Sequence, residues 1–316
     1  MTANLSPDTS TATANMHAVG GAIVPIDDMF TTFFNFRTQV SIPLFGSSIE
    51  FSLQYIDRAL YVSVVKAKQD LCSWVGGQPD PWHDPGLRQK IETHLYGKYL
   101  STAKEFHAAT GTITALIGQI GSGGATPVQQ QQAAAALSTL DAIVQQAAAD
   151  VAAVQAEYVP FQQRVEADIQ AMQDGPAAIG AIIARVPHEI LKWVGEQHPG
   201  VWSIGPTIKM VEMYAAAYTK ALKKLQSGVQ AGLGAGLQAG PAMVNLSTQW
   251  TTMASVTKDV HQQIAQAEQN GLKDALTALN LATAAQEWSA LAEVAQNLTA
   301  QMNSEGIFGE GREVTI

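Results

Sequence analysis

Cysteine is almost missing: Cys72 stands alone among 316 residues. An internal disulfide is therefore excluded, and so is a zinc site built on cysteines. Charge is scarce as well, at 14% Asp, Glu, Lys and Arg, and it leans negative with a net −9. A chain that grips phosphates needs a basic face, so this balance argues against nucleic acid as a partner. It argues equally against simple electrostatic attraction to anionic lipid. The first basic side chain is Arg37, which leaves no positive n-region for a cleaved secretory signal. No run of about 20 strongly apolar residues marks a constitutive membrane span. If exported, the protein is expected to leave without a cleaved signal peptide.

Catalytic signatures are missing too. The seven histidines form no HExxH or other ligand spacing. His83, within Pro81-Trp82-His83-Asp84-Pro85, reads as a capped turn before a helix rather than a metal site. Gly232-Leu233-Gly234-Ala235-Gly236 has no apolar strand before it and no Lys-Ser/Thr after it, so it is not a nucleotide loop. GxSxG is absent, and no carboxylate pair suggests glycoside chemistry. The expectation is a non-enzyme with no catalytic residue, no metal and no cofactor.

What the chain has in quantity is helix. Ala and Gln are plentiful, and both are good helix formers. From Pro127 to Gln173 apolar residues recur at sevens: Leu137, Val144, Val151, Tyr158, Val165 and Met172. Leu140, Ala147, Val154 and Phe161 interleave as a second row. Two such rows form a coiled-coil stripe that other helices must cover. At 1.5 Å per residue the segment spans about 70 Å. Pro160 lies inside it, but the phase continues beyond, which predicts a kink rather than a stop. Further helices are expected over Ser47–Val75, Pro85–Ile120, Pro206–Leu225 and Ala242–Asn303, with glycine and proline breakers between them. The fold class is all-α: an elongated bundle of long antiparallel helices with a small apolar head inserted between two of them. No strand pattern competes. The expected organisation is a flexible N-terminal tail over 1–20, a helical bundle over 21–175 and 206–304, a head over 176–205, and a C-terminal tail over 305–316. Within the bundle, the apolar cluster from Ile23 to Phe45 reads as a short N-terminal helix capping the other helices.

The head differs in kind from the rest: PAAIGAIIARVPHEILKWVGEQHPGVWSIG mixes Gly, Pro, Ile, Val and Trp with few charges. It is either a hydrophobic plug between helix ends or a conditional membrane-contacting surface. On the second reading Ile179, Ile182, Ile183, Leu191, Trp193, Val194, Val201, Trp202 and Ile204 make the contact. Trp193 and Trp202 suit a membrane interface, while Arg185, Glu189, Lys192 and Glu196 limit how deeply the piece inserts as a single helix. His188 and His198 flank this surface and are either a pH trigger or ordinary surface histidines. The glycine-rich stretch after Lys224, charge-free as far as Lys258, is a second candidate. Its Gly and Ala spacing also fits plain close helix packing.

This element order resembles the α-helical pore-forming toxins of the cytolysin A superfamily, which includes the haemolysin BL components. The likeness covers about residues 20–304: a short N-terminal helix, two long helices, a longer third, the apolar insertion at Pro176–Gly205, then long helices back. The resemblance implies a secreted, soluble monomer that changes shape and assembles on target-cell membrane lipid, with partner toxin subunits or as a homo-oligomer. The head is less purely apolar than in members that pierce the bilayer alone, and the N-terminal region lacks a long amphipathic helix of clear phase. Both departures fit one component of a multi-part toxin. The alternative from another class is a non-toxic adaptor or structural bundle that binds partners through its coiled-coil faces.

Overall fold

The computed structural model describes residues 5–44, 47–76, 85–121, 123–174, 178–197, 199 and 205–305. The expected turn at His83, the expected head residues Val201, Trp202 and Ile204, His198, and the expected tail from residue 306 onward lie outside the described residues. The chain divides into two compact units. The first holds Met1–Gly21, Trp82–Val159 and Gln238–Ser304; the second holds Ala22–Pro81, Pro160–Leu237 and Glu305–Ile316. Three helices contribute a segment to each: α1 (Thr9–Asn35), α6 (Pro127–Asp174) and α9 (Gly205–Ala265).

Helix α6 follows its heptads. Every position of both apolar rows is buried, from Leu137 to Met172 and from Leu140 to Phe161. A capping box starts the helix: Gln129 N donates to Thr126 Oγ1 at 3.2 Å and Thr126 N donates to Gln129 Oε1 at 2.9 Å. Pro160 does not stop it, as its phase predicts; the helix runs on to Asp174.

In the first unit, α6 and α9 are joined by α4 (Leu87–Lys90), a π-helical segment (Ile91–Tyr96), α5 (Gly97–Gln119), α10 (Leu272–Ala278) and α11 (Leu281–Glu305). The core is aromatic. Trp288 stacks on Phe106 at 5.3 Å between ring centroids and lies 5.1 Å from Trp250, which meets Tyr99 edge-on at 4.9 Å. The α11 face Ala284, Trp288, Leu291, Ala295, Leu298 and Met302 is buried throughout. Arg88, also buried, donates to the Met302 carbonyl at 2.6 Å and so satisfies the end of α11.

Three expectations need correction. Residues 1–20 are not all loose tail, because α1 begins at Thr9. Asp8 caps it, accepting from Thr11 N at 3.0 Å. Ala12, Met16, Val19, Ile23, Ile26, Phe30 and Phe33, alternating steps of four and three, are its buried stripe; Ser, Thr and Asn between them mask the period. Secondly, no helix begins at Ser47. The chain forms an antiparallel hairpin, β1 (Gln39–Leu44) and β2 (Ser47–Ser52), before the short α2 (Leu53–Ile56) and the longer α3 (Arg58–Val75). Thirdly, the last helix is not continuous from Ala242 to Asn303. Helix α9 carries through the glycine-rich zone and ends at Ala265, and α10 and α11 are separated by Asn280 in the left-handed region, φ 48°.

Candidate functional site

The second unit gathers the hairpin, α2, α7 (Ile179–Ile183), α8 (Val186–Gln197) and the first turns of α9. The hairpin is amphipathic because its residues alternate. Val40 pairs with Phe51 on one face, which Ile42 shares; Gln39 with Ser52, Ser41 with Glu50 and Pro43 with Ser48 occupy the other. Ile42 and Phe51 are buried, while Gln39, Ser41, Pro43, Ser48 and Glu50 are exposed. Pro43 is tolerated because a two-stranded hairpin leaves both outer edges unpaired.

Phe51 anchors the hairpin. Its ring meets Trp193 of α8 edge-on at 5.3 Å and Tyr218 of α9 at 5.9 Å. Tyr55, 52% exposed, stacks on Trp193 at 5.3 Å. Phe36 approaches Tyr218 at 5.7 Å and completes the cluster. Burial pushes the Tyr218 phenol well above its ordinary range, and its hydroxyl has no hydrogen-bond partner. Lys68, half-buried, donates to the Phe36 carbonyl at 2.7 Å just past the end of α1; burial lowers its pKa.

A polar latch lies in the same unit. Arg185, between α7 and α8, donates from Nη2 to Asp57 Oδ2 at 3.0 Å. The other oxygen of Asp57 caps α3 by accepting from Leu60 N at 3.0 Å. One carboxylate therefore ties the start of α8 to the start of α3.

Of the residues expected in the head, Ile179, Ile182 and Val194 are buried against the second unit, together with Val186 and Ile190. Ile183, Leu191 and Trp193 are partly exposed. The solvent face of α8 carries His188, Lys192 and Glu196. The glycine-rich stretch packs closely where it is described. A Cβ at Gly228 would meet Thr32 Cγ2 at 2.8 Å, and one at Gly232 would meet Met29 Sδ at 2.7 Å and Ile169 Cδ1 at 3.3 Å. Among the described residues no three His, Cys, Asp or Glu side chains gather as metal ligands, and no helix is long and apolar enough to cross a membrane.

Sequence reasoning missed the hairpin and with it Phe51 and Tyr55. The signal was present in Gln39-Val40-Ser41-Ile42 and Ser48-Ile49-Glu50-Phe51, which alternate with period two. The helical step from Leu53 onward masked it.

No protein-family profile matches the sequence, and no curated protein sequence does. Solved structures match over nearly the whole chain. The HblL1 toxin component of Bacillus cereus aligns with 95% of this chain and 98% of its own at a TM-score of 0.57 and 12% identity. SmhA of the tripartite α-pore-forming toxin of Serratia marcescens aligns with 98% of each chain at 0.54 and 14% identity. The cytotoxin MakB of Vibrio cholerae aligns with 94% of each at 0.53 and 12% identity. The chain has the fold of these toxin components. In this fold the aromatic cluster around Phe51 joins the hairpin to α8 and α9.

Proposed function

We propose that the protein is one component of an α-helical pore-forming toxin, secreted and acting on a target-cell membrane together with partner subunits or copies of itself. The observation that carries this reading is the match of fold across 95% and 98% of the two chains compared. The amphipathic hairpin and the Trp193-bearing helix α8 support it as the membrane-contacting surface. In the soluble form Ile42 and Phe51 are covered. On a membrane the hairpin leaves α8, and Phe51, Trp193, Ile179, Ile182, Ile183, Leu191 and Val194 meet lipid. Val201, Trp202 and Ile204 are assigned to the same contact by their sequence. Burial of apolar area drives the step at about 25 cal/mol per Å². Tyr55 and Trp193 are suited to the headgroup level, where amphipathic rings gather.

Vesicle sedimentation and dye release test the reading, with the protein alone and across pH 5 to 8. Sedimentation without release identifies a component that needs partners. Release alone identifies a self-sufficient one, and its pH profile tests His188 and His198. Ile183→Asp, at a partly exposed position, is expected to fold normally and to lose vesicle binding. Retained binding in this variant, or no binding by the parent protein to any lipid, refutes the proposal and favours an adaptor bundle.

A further inference from the structure

Helix α9 leaves one face uncovered in the second unit. Val211, Ala215, Tyr218, Leu222 and Leu225, alternating steps of four and three, are its buried row, and Phe51 of the hairpin packs on Tyr218 from that side. Lys209, Met213, Lys220, Lys223 and Lys224 keep the same period on the opposite side and are all exposed, Met213 to 61%. Elsewhere lysines are paired: Lys66, Lys90 and Lys98 each meet a carboxylate. The four lysines of this face make no ion pair among the described residues. Glu212 is the sole acidic side chain of α9 ahead of Asp259, which lies 35 residues past Lys224. From Lys209 to Lys224 the face runs about 22 Å at 1.5 Å per residue. The net charge of −9 is a property of the whole chain and does not cancel this face. At physiological salt a charge is screened beyond about 8 Å, so a surface that meets α9 here meets its lysines.

We propose that the lysine face of α9 docks on the headgroups of anionic phospholipid, so that the protein selects negatively charged membranes. The inference rests on the membrane reading above and adds the lipid class to it. Charge complementarity names the occupant: a row of cations without carboxylate partners fits a surface of phosphates and carboxylates. Met213, apolar and exposed between Lys209 and Lys220, fits the hydrocarbon that lies beneath such headgroups, and lysine stems lie along the same boundary. The packed hairpin does not cover this face, so it is available before any change of shape. A lysine held at an anionic membrane surface is worth about fivefold in affinity, so Lys220, Lys223 and Lys224 together are worth about a hundredfold. A factor of that size does not hold a protein on a vesicle by itself. It adds to the apolar contact of α8 and does not replace it.

The test is sedimentation with vesicles of phosphatidylcholine alone and of phosphatidylcholine mixed equally with phosphatidylserine. The parent protein is expected to bind the mixed vesicles about a hundredfold more tightly at physiological salt. The preference is expected to collapse at about 1 M salt, where the screening length falls to about 3 Å. Lys220→Gln, Lys223→Gln and Lys224→Gln combined change exposed helical positions to another good helix former, so circular dichroism and thermal unfolding are expected to stay as in the parent. This variant is expected to bind both vesicles as the parent binds the neutral ones. A control with Lys104→Gln and Lys258→Gln, exposed lysines of the first unit, changes the net charge without touching the face and is expected to keep the preference. Equal binding of both vesicles by the parent, a preference that survives the triple variant, or an equal loss in the control overturns the proposal and leaves the membrane reading in place. Equal binding also leaves the face to an acidic protein partner. Binding of neither vesicle sinks the membrane reading and this inference with it.

Discussion

Phe51→Ala removes the ring that holds the hairpin to α8 and α9. Phe51 is 1% exposed and touches two aromatic rings, Trp193 at 5.3 Å and Tyr218 at 5.9 Å. Truncating a buried phenylalanine costs about 3–5 kcal/mol. The lower end applies because the site lies next to the exposed Tyr55, where water enters the space that is left. About 3 kcal/mol is roughly a hundredfold in an opening equilibrium. Amide hydrogen exchange reads this directly. Amides of β1 and β2 are expected to exchange about a hundredfold faster in the variant, while those of α5 and α11 in the first unit keep their rates. If hairpin release limits membrane docking, the same variant reaches vesicles sooner than the parent protein. Unchanged hairpin exchange would show that Phe51 is not the anchor. Faster exchange with slower vesicle binding would show that the packed hairpin, not the released one, meets the membrane.

Asp168 gives a pH dependence of unusual sign. It occupies the next position of the heptad row Leu140, Ala147, Val154, Phe161, is 4% exposed, and contacts Lys66; Asp70, which pairs with Arg164 Nε at 3.0 Å, lies beside it. Burial, opposed by Lys66 and reinforced by Asp70, raises its pKa. The folded state therefore binds this proton more readily than the unfolded one, so this group's contribution is favourable at low pH and is lost as pH rises from about 4 through the raised value. Asp168→Asn is expected to flatten that part of the stability curve in denaturant titrations at pH 4 and 7; an unchanged curve refutes the assignment. Gly228→Ala gains about 1 kcal/mol of helix propensity but drives its Cβ to 2.8 Å from the branched Thr32 side chain, a clash costing about 1–3 kcal/mol. Net destabilisation is expected by thermal unfolding, and Thr32→Ser in the same background is expected to relieve it.

How far the sequence determined this protein is clearest along α6. Its heptad rows, its capping Thr126 and its passage through Pro160 were all legible, because a period sustained over many turns averages out local ambiguity. The breakers before Pro127 were legible for the same kind of reason, since glycine and proline act on the backbone locally, whereas the end of α9 at Ala265 was not. The hairpin was not legible as such. Six alternating residues carry little signal, and helix or strand is decided there by whether Phe51 finds rings to pack on. Trp193 and Tyr218 lie 142 and 167 residues further along the chain. The start of α1 was hidden likewise, since Ser and Thr are tolerated in a helix when their neighbours at steps of three and four are buried. The expected head illustrates the division best. Composition singled out 176–205 as apolar, but only the tertiary structure decided that Ile179, Ile182 and Val194 turn inward while Trp193 lies at the surface under Tyr55. Composition is a property of a segment, whereas burial is a property of what that segment meets.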